Sequence, residues 1–430
     1  MLPKVTLPLA IRALRSRDYR LFVAGQLVSL IGTWMQIIAQ SWLIYRLTGS
    51  ALLLGLAGFA AQFPVFVLAP LGGVIADRFD RRRILIGAQS LMMLLALMLA
   101  WLTFSQAVQV WHILLLAALL GVANAIEIPT RQSFVLQMVG REDLSNAIAI
   151  NASLVNGGRL VGPAIAGAVV AVVGEAWCFL LNGVSYVGVI AALMVMRASR
   201  NAEPARAGTS AWESLVEGFT FAWHTRPVRA LLALVGLVSL LGMPFTVLMP
   251  IFADQLLGGG PYAYGLLMSC AGLGALGGSA VLTLRRDLDG LGRWIAVAAT
   301  SFGAFLILFS LSRSLLLSAA LLVPAGFFMI LGIAASNTLI QAMVPDRLRG
   351  RVLAVYSMMF MGMAPIGSLL AGLLAEPVGA AGTVALGGAA CLATGLAFGT
   401  RLPALHATAR QLIAAQQMAG RAPRPQSGAR

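Results

Sequence analysis

Residues 72–83 read GGVIADRFDRRR and lie between two long apolar runs, 51–76 and 84–104. Asp77 and four arginines, Arg78, Arg81, Arg82 and Arg83, crowd a connection too short to form a core of its own. Each flanking run is long enough to cross a bilayer, whose roughly 30 Å of hydrocarbon takes about 20 apolar residues. The stretch therefore reads as a tight turn between two membrane-crossing helices, on the side of the bilayer where Arg accumulates.

Moving outward from this turn, the same pattern repeats. Apolar runs fall at 21–45, 51–76, 84–104, 110–135, 147–173, 177–196, 228–252, 262–284, 294–312, 315–342, 352–375 and 382–402. The expected fold is an all-α membrane protein with twelve transmembrane helices, the first run being too long for a cleavable signal and reading as a true span. Composition points the same way. Of 430 residues, 59% are hydrophobic and 10% charged, and mean hydropathy is +0.89. A soluble domain carries about 25% charged residues, so the lipid bilayer is the expected solvent.

The net charge of +15 would suggest nucleic acid on a soluble chain. Here the basic residues sit in short clusters between apolar runs, without the interleaved aromatics of a stacking platform, so no nucleic acid partner is expected. With both termini in the cytoplasm, the outward loops hold only Arg46 and Arg313, Arg159 lies inside span five, and the other basic residues face the cytoplasm. Cys178, Cys270 and Cys391 each sit within an apolar run and form no metal-ligand spacing. No metal or cofactor is expected. The single lysine, Lys4, lies in no phosphate-loop context, and no nucleophile, base or metal motif marks an enzyme.

The chain divides near its middle. Residues 1–197 and 228–402 are expected to form two pseudo-symmetric six-helix bundles. Residues 198–227 link them through an amphipathic helix with Trp212, Leu215, Val216, Phe219 and Trp223 on its apolar face, and 403–430 is expected to be a mobile tail. The halves echo each other at an offset of 205: Gly72-Gly73 meets Gly277-Gly278, Arg81 meets Arg286, Gly162 meets Gly367, and Ala166-Gly167 meets Ala371-Gly372. Parallel repeats of this kind place a substrate site between the halves near mid-membrane.

Two motifs stand out. In the first, Gly73, Asp77, Arg78, Arg81 and Arg82 are placed to lock neighbouring helix ends by charge; the plainer reading is ordinary positive-inside charge. With Arg131 at the same end of span four, they form a candidate cytoplasmic gate. In the second, Gly158, Gly162, Pro163 and Gly167 give span five a small face and a proline kink, with Arg159 beside them. The expected partner of this face is Gly272, Gly274, Gly277 and Gly278 of span eight, although generic packing is the alternative.

At these residues the chain resembles the major facilitator superfamily over essentially its whole length. GGVIADRFDRRR resembles that superfamily's loop signature, with Asp80 where the pattern has Gly. Gly158 to Gly167 resembles its antiporter signature in span five, with Ala149 and Ala166 at two of the Gly positions. Residues 123–167 are similar to the branch of enterobactin exporters and macrolide efflux proteins. The resemblance implies a proton-driven monomeric exporter in the bacterial inner membrane, with spans one, four, seven and ten lining the cavity. Relatives in this fold also flip lysophospholipids.

The residues themselves suggest where that cavity lies. Gln26, Ser29, Thr33, Gln36 and Gln40 recur every three or four residues and form one polar stripe on span one, which is costly against lipid. Asn124 and Glu127 of span four, Asn337 and Gln341 of span ten, Met243 and Phe245 of span seven, and Tyr356 of span eleven are further candidates, though some are open to a packing role. Glu127 is the one acid well inside a span. It is a candidate proton carrier or, alternatively, a structural partner of Arg131 or Arg159. The expected activity is proton-coupled export of a small amphipathic or hydrophobic organic molecule. The alternatives are a lipid flippase in the same fold and, less well supported, a membrane-embedded enzyme or receptor.

Overall fold

In lipid every backbone polar group must be satisfied within the chain, and a chain this apolar resolves that by folding into helices. The computed structural model describes residues 9–196, 211–285 and 289–421, and every regular element among them is helical. Residues 1–8, 197–210, 286–288 and 422–430, with the side chains of Trp212 and Leu215, lie outside what is described. The Arg81–Arg286 echo therefore has no structural counterpart here.

Eleven helices are long and apolar enough to cross a membrane. They are Arg17–Thr48, Ala51–Arg78, Arg81–Phe104, Val110–Gly140, Glu142–Val173, Glu175–Val195, Arg226–Leu256, Gly260–Leu284, Leu291–Leu311, Leu315–Met343 and Asp346–Leu405. The last is 60 residues long. At about 1.5 Å per residue that is roughly three times the hydrocarbon thickness. It breaks at Gly379, whose φ of 79° is left-handed backbone that glycine adopts without a Cβ clash. Counted as two crossings, 346–378 and 380–405, it completes the expected twelve, which we number one to twelve.

Local chemistry sets the turns. Gly49 ends span one in the left-handed region, and the Ser50 hydroxyl then accepts from the Leu53 N–H to start span two. In the 72–83 turn the Asp80 carboxylate accepts from the Arg82 and Arg83 N–H groups and caps span three. Spans seven and eleven depart from regular helix. Each contains a π-helical segment, Val238–Gly242 and Met358–Gly362, and the Ser239 hydroxyl of one donates to the Phe360 carbonyl of the other.

The two halves meet through small residues at two crossings. At one, span two faces span eleven: a methyl on Gly372 would sit 2.7 Å from the Ala51 carbonyl and 3.1 Å from Gly55 Cα. At the other, span five faces span eight: a methyl on Gly265 would sit 2.7 Å from Gly167 Cα. Such contacts let backbones approach closely where no hydrophobic force distinguishes protein from lipid. The expected glycine partners need correction. Of the four named on span eight, only Gly272 meets span five, against Arg159. Gly274, Gly277 and Gly278 face Val323 and Phe327 of span ten, and Gly265 takes their place. Of the motif's glycines, Gly158 and Gly162 face Trp34 of span one and Gly167 faces span eight, where the Pro163 and Arg159 backbone also meets Gly265 and Gly272.

The linker helix runs Ala211–His224. Glu217 is ion-paired with Arg351 at the start of span eleven, and Gly218 packs on the Arg351 backbone. Val216, Phe219 and Trp223 are exposed. The tail expected to be mobile from 403 continues as helix to Arg421, with Ala409 buried.

Candidate functional site: a cavity between the halves

A cavity of about 1410 Å³ lies between the two halves. On the face away from the Arg clusters it is sealed by the two glycine crossings, by Trp42 stacked on Tyr264 with ring centres 6.3 Å apart, and by the Tyr45 hydroxyl donating to Asp254 at 2.7 Å. Its walls reach Arg131, Gly350 and Arg351 at the other, basic face, where Gly350 is exposed and a methyl on it would meet nothing within 4 Å. The cavity opens there.

Gln26, Ser29, Thr33, Gln36 and Gln40 all line it, as do Asn124, Glu127, Met243 and Phe245. The 3.6-residue period of span one aims its polar stripe inward, and the Asn182 amide of span six donates to Gln36 at 2.6 Å. The remaining candidates are placed elsewhere. Asn337 and Gln341 are not in the wall; the Gln341 amide donates to Asn337 at 3.0 Å, one turn away on the same helix. Tyr356 is buried, its hydroxyl donating to the Ile333 carbonyl at 2.8 Å. Span ten contributes only Met329 to the wall, whereas spans two, eight and eleven contribute several residues each and span five contributes Val155 and Arg159, so the four-span lining expected from the resemblance is corrected. The wall also holds residues not anticipated: Gln62, Gln89, Asn182, Tyr186 and Trp34. Asn182 and Tyr186 lie four apart in a span whose only other polar residues are Glu175 and Ser185, the same kind of signal that marked span one.

Glu127 is 4% exposed and paired with Arg131 at 3.0 Å. The Gln89 amide donates to Glu127 at 3.3 Å, while the Gln89 carbonyl oxygen, buried beside it, has no partner among the described residues. Arg131 also approaches Asn151 of span five at 3.5 Å. Arg159 does not join this cluster. Its guanidinium lies over the Trp34 ring at 4.9 Å.

The 72–83 turn packs within its own half. Arg82 donates to the carbonyls of Leu193 and Met194 at the end of span six, and Arg81 donates to Ala76 and pairs with Asp77 at 3.5 Å. Asp77 and Arg131 are not in contact. Asp77 is about half exposed at the open face.

The wall can be mapped chemically. With Cys178, Cys270 and Cys391 replaced by Ala, Thr33→Cys and Gln40→Cys should react rapidly with a membrane-impermeant thiol reagent. Leu27→Cys, on the lipid side, and Ile38→Cys, buried, should react slowly. Equal rates at all four would remove the stripe from the cavity.

A sequence model of the transmembrane secretion effector family matches residues 9–423. The chain is 25% identical to the staphyloferrin A transporter of Staphylococcus aureus over 88% of this chain and 94% of that one. It is 28% identical to the multidrug efflux pump Tap of Mycobacterium tuberculosis over 90% of this chain and 93% of that one, and 24% identical to macrolide efflux protein A of Streptococcus pyogenes over 83% and 89%. Among solved structures, the nucleoside transporter NupG superposes with a TM-score of 0.72 at 10% identity, covering 89% of this chain and 98% of that one. A bacterial homologue of the lysosomal transporter Spinster gives 0.68 at 15% identity over 93% and 98%. At such identities the structures establish a common fold.

Proposed function

We propose that this chain, which belongs to the transmembrane secretion effector family of major facilitator transporters, exports a small amphipathic organic molecule from a bacterial cell in exchange for protons. The observation that carries this reading is a large cavity between two six-span halves, sealed on one face and open on the face that bears the Arg clusters. That face is cytoplasmic under the positive-inside rule, which puts both termini in the cytoplasm and the chain in the inner membrane. A cavity lined by Met, Phe and Trp, with amides along one side, suits a molecule that is apolar with a few polar groups. The relatives named for a siderophore, for several drugs and for macrolides support small organic cargo. Nothing in the reading requires a partner subunit.

In the proposed cycle the halves rock about their crossings and the basic face closes. Asp77, Arg78 and Arg131 then hold span two against neighbouring helix ends. The Glu127 carboxyl takes a proton when the cavity faces outward and releases it when the cavity faces inward. Gln89 supports this role. Its amide donates to the carboxylate, and with the amide turned its unpartnered oxygen would accept from the protonated acid. A lipid flippase remains the second reading.

The test is transport by the purified full chain in vesicles with and without an imposed pH gradient, using a fluorescent amphipathic dye and a lysophospholipid as alternative cargo. Dye accumulation that follows the gradient supports export. Lysophospholipid movement alone favours the flippase, and dye flux indifferent to pH overturns coupling. In the same vesicles Asp77→Asn should insert normally but cycle slowly, and a normal rate would remove the gate.

A further inference from the structure

Four charged side chains line the cavity: Glu127, Arg131, Arg159 and Arg351. Glu127 and Arg131 neutralise each other at 3.0 Å, and Arg351 is paired with Glu217. Arg159 has no such balance. It sits halfway along span five, and among the described residues no carboxylate lies within ion-pair distance of it. A cation at membrane depth without a counter-charge is costly, and such residues mark ligand pathways or pair with a counter-ion.

The surroundings hold this side chain in place rather than neutralise it. Its guanidinium lies over the Trp34 ring at 4.9 Å, a cation–π contact that steadies the side chain but supplies no counter-charge. The motif glycines build the platform. A methyl on Gly158 would reach 3.0 Å from the Trp34 ring, and one on Gly162 would sit 2.5 Å from Trp34 Cβ. Only bare backbone at both positions lets Trp34 lie against span five directly beneath Arg159. On the other side, Gly272 of span eight closes on the Arg159 carbonyl.

We infer that Arg159, held on Trp34, is the anion-recognition point of the cavity, and that the exported molecule is an amphipathic organic anion, with a carboxylate as the best-matched group. The planar fork of a guanidinium accepts a carboxylate through two parallel N–H···O bonds. The Met and aromatic wall takes the apolar body. Binding the anion supplies the charge that the protein omits, so the loaded cavity is closer to neutral than the empty one. This inference rests on the export reading above and narrows it to one charge class.

The experiment uses the full chain in nanodiscs of uncharged lipid, with 1-pyrenebutyrate and its uncharged counterpart 1-pyrenebutanol as probes. Saturable binding is read above protein-free discs. Wild type should bind the acid about tenfold or more tighter than the alcohol, the scale of one charge-assisted bond pair. Arg159→Gln should lose the preference, the acid's affinity falling about tenfold toward the alcohol's, while Arg159→Lys, which retains the charge without the fork, should keep part of it. Repeating the titration in discs with anionic lipid identifies the source: competition in wild type but not in Arg159→Gln means that a lipid headgroup uses the same point. Equal affinity for both probes in wild type, or a preference that survives Arg159→Gln, overturns the inference while leaving export standing. If neither probe binds saturably, the reading of the cavity as an amphipathic-substrate site falls, and this inference with it.

Discussion

Glu127→Gln should abolish uphill transport: in vesicles with a pH difference of about one unit, substrate accumulation is expected to drop from about tenfold to none. One pH unit is about 1.36 kcal/mol per proton, which supports a tenfold substrate gradient if one proton is exchanged per molecule. An amide of the same shape fills the same space beside Gln89 but has no titratable proton to carry. The change also leaves Arg131 without its carboxylate. Breaking a fully buried pair costs about 3–5 kcal/mol. Arg131 lines an open cavity and keeps Asn151 within reach, so its loss is smaller and the protein stays folded. Downhill exchange of substrate should persist, showing that the cavity is intact. A variant that still accumulates substrate against its gradient reduces Glu127 to a structural partner of Arg131 and moves coupling to Asp77 or Asp254.

The second large effect is on assembly. Gly265→Val places its first side-chain carbon against the Pro163 carbonyl and 2.7 Å from Gly167 Cα, both of them backbone. Backbone cannot swing aside as a flexible side chain does, so spans five and eight must separate. Overpacking of this kind typically costs about 1–3 kcal/mol, and rigid backbone on both sides puts this case at the upper end. The expected result is loss of the monodisperse folded fraction on size-exclusion chromatography and a large fall in its thermal midpoint. Gly188→Ala, whose added methyl meets nothing within 4 Å, is the matched control and should behave as wild type. A Gly265→Val protein as stable as the control would show that the crossing is not closely packed.

The spans were readable because apolarity over 20 residues is a property of the segment, independent of its neighbours. The polar stripe of span one was readable because five polar residues on one helical face have few places to go. Span ten shows where that logic stops: Asn337 and Gln341 are also one turn apart, but they satisfy each other. Tyr356 likewise finds a backbone carbonyl one helix away, which no period in the sequence announces. The glycines of span eight divide for a geometric reason. Gly265 and Gly272 are seven apart and share one face, whereas Gly274 and Gly278 lie on nearly the opposite face. Both faces carry small residues, so composition alone cannot say which meets span five. Arg159 was visible as a charge in a span, but its partner is an aromatic ring on another helix, set by tertiary packing.

The two glycine crossings have a mechanical consequence. Gly167 and Gly372 are the same position in the two halves, separated by the offset of 205 that runs through the sequence. Each rests against a glycine of the opposite half, Gly265 and Gly55. The repeat therefore supplies one bearing point twice, once on each flank of the cavity. A line through the two points is the natural fulcrum of the molecule. Contacts there have no side chains to unlock and no directional bonds to break, and because both points lie on the sealed face, a tilt about that line would change the width of the basic mouth while the contacts themselves stay closed.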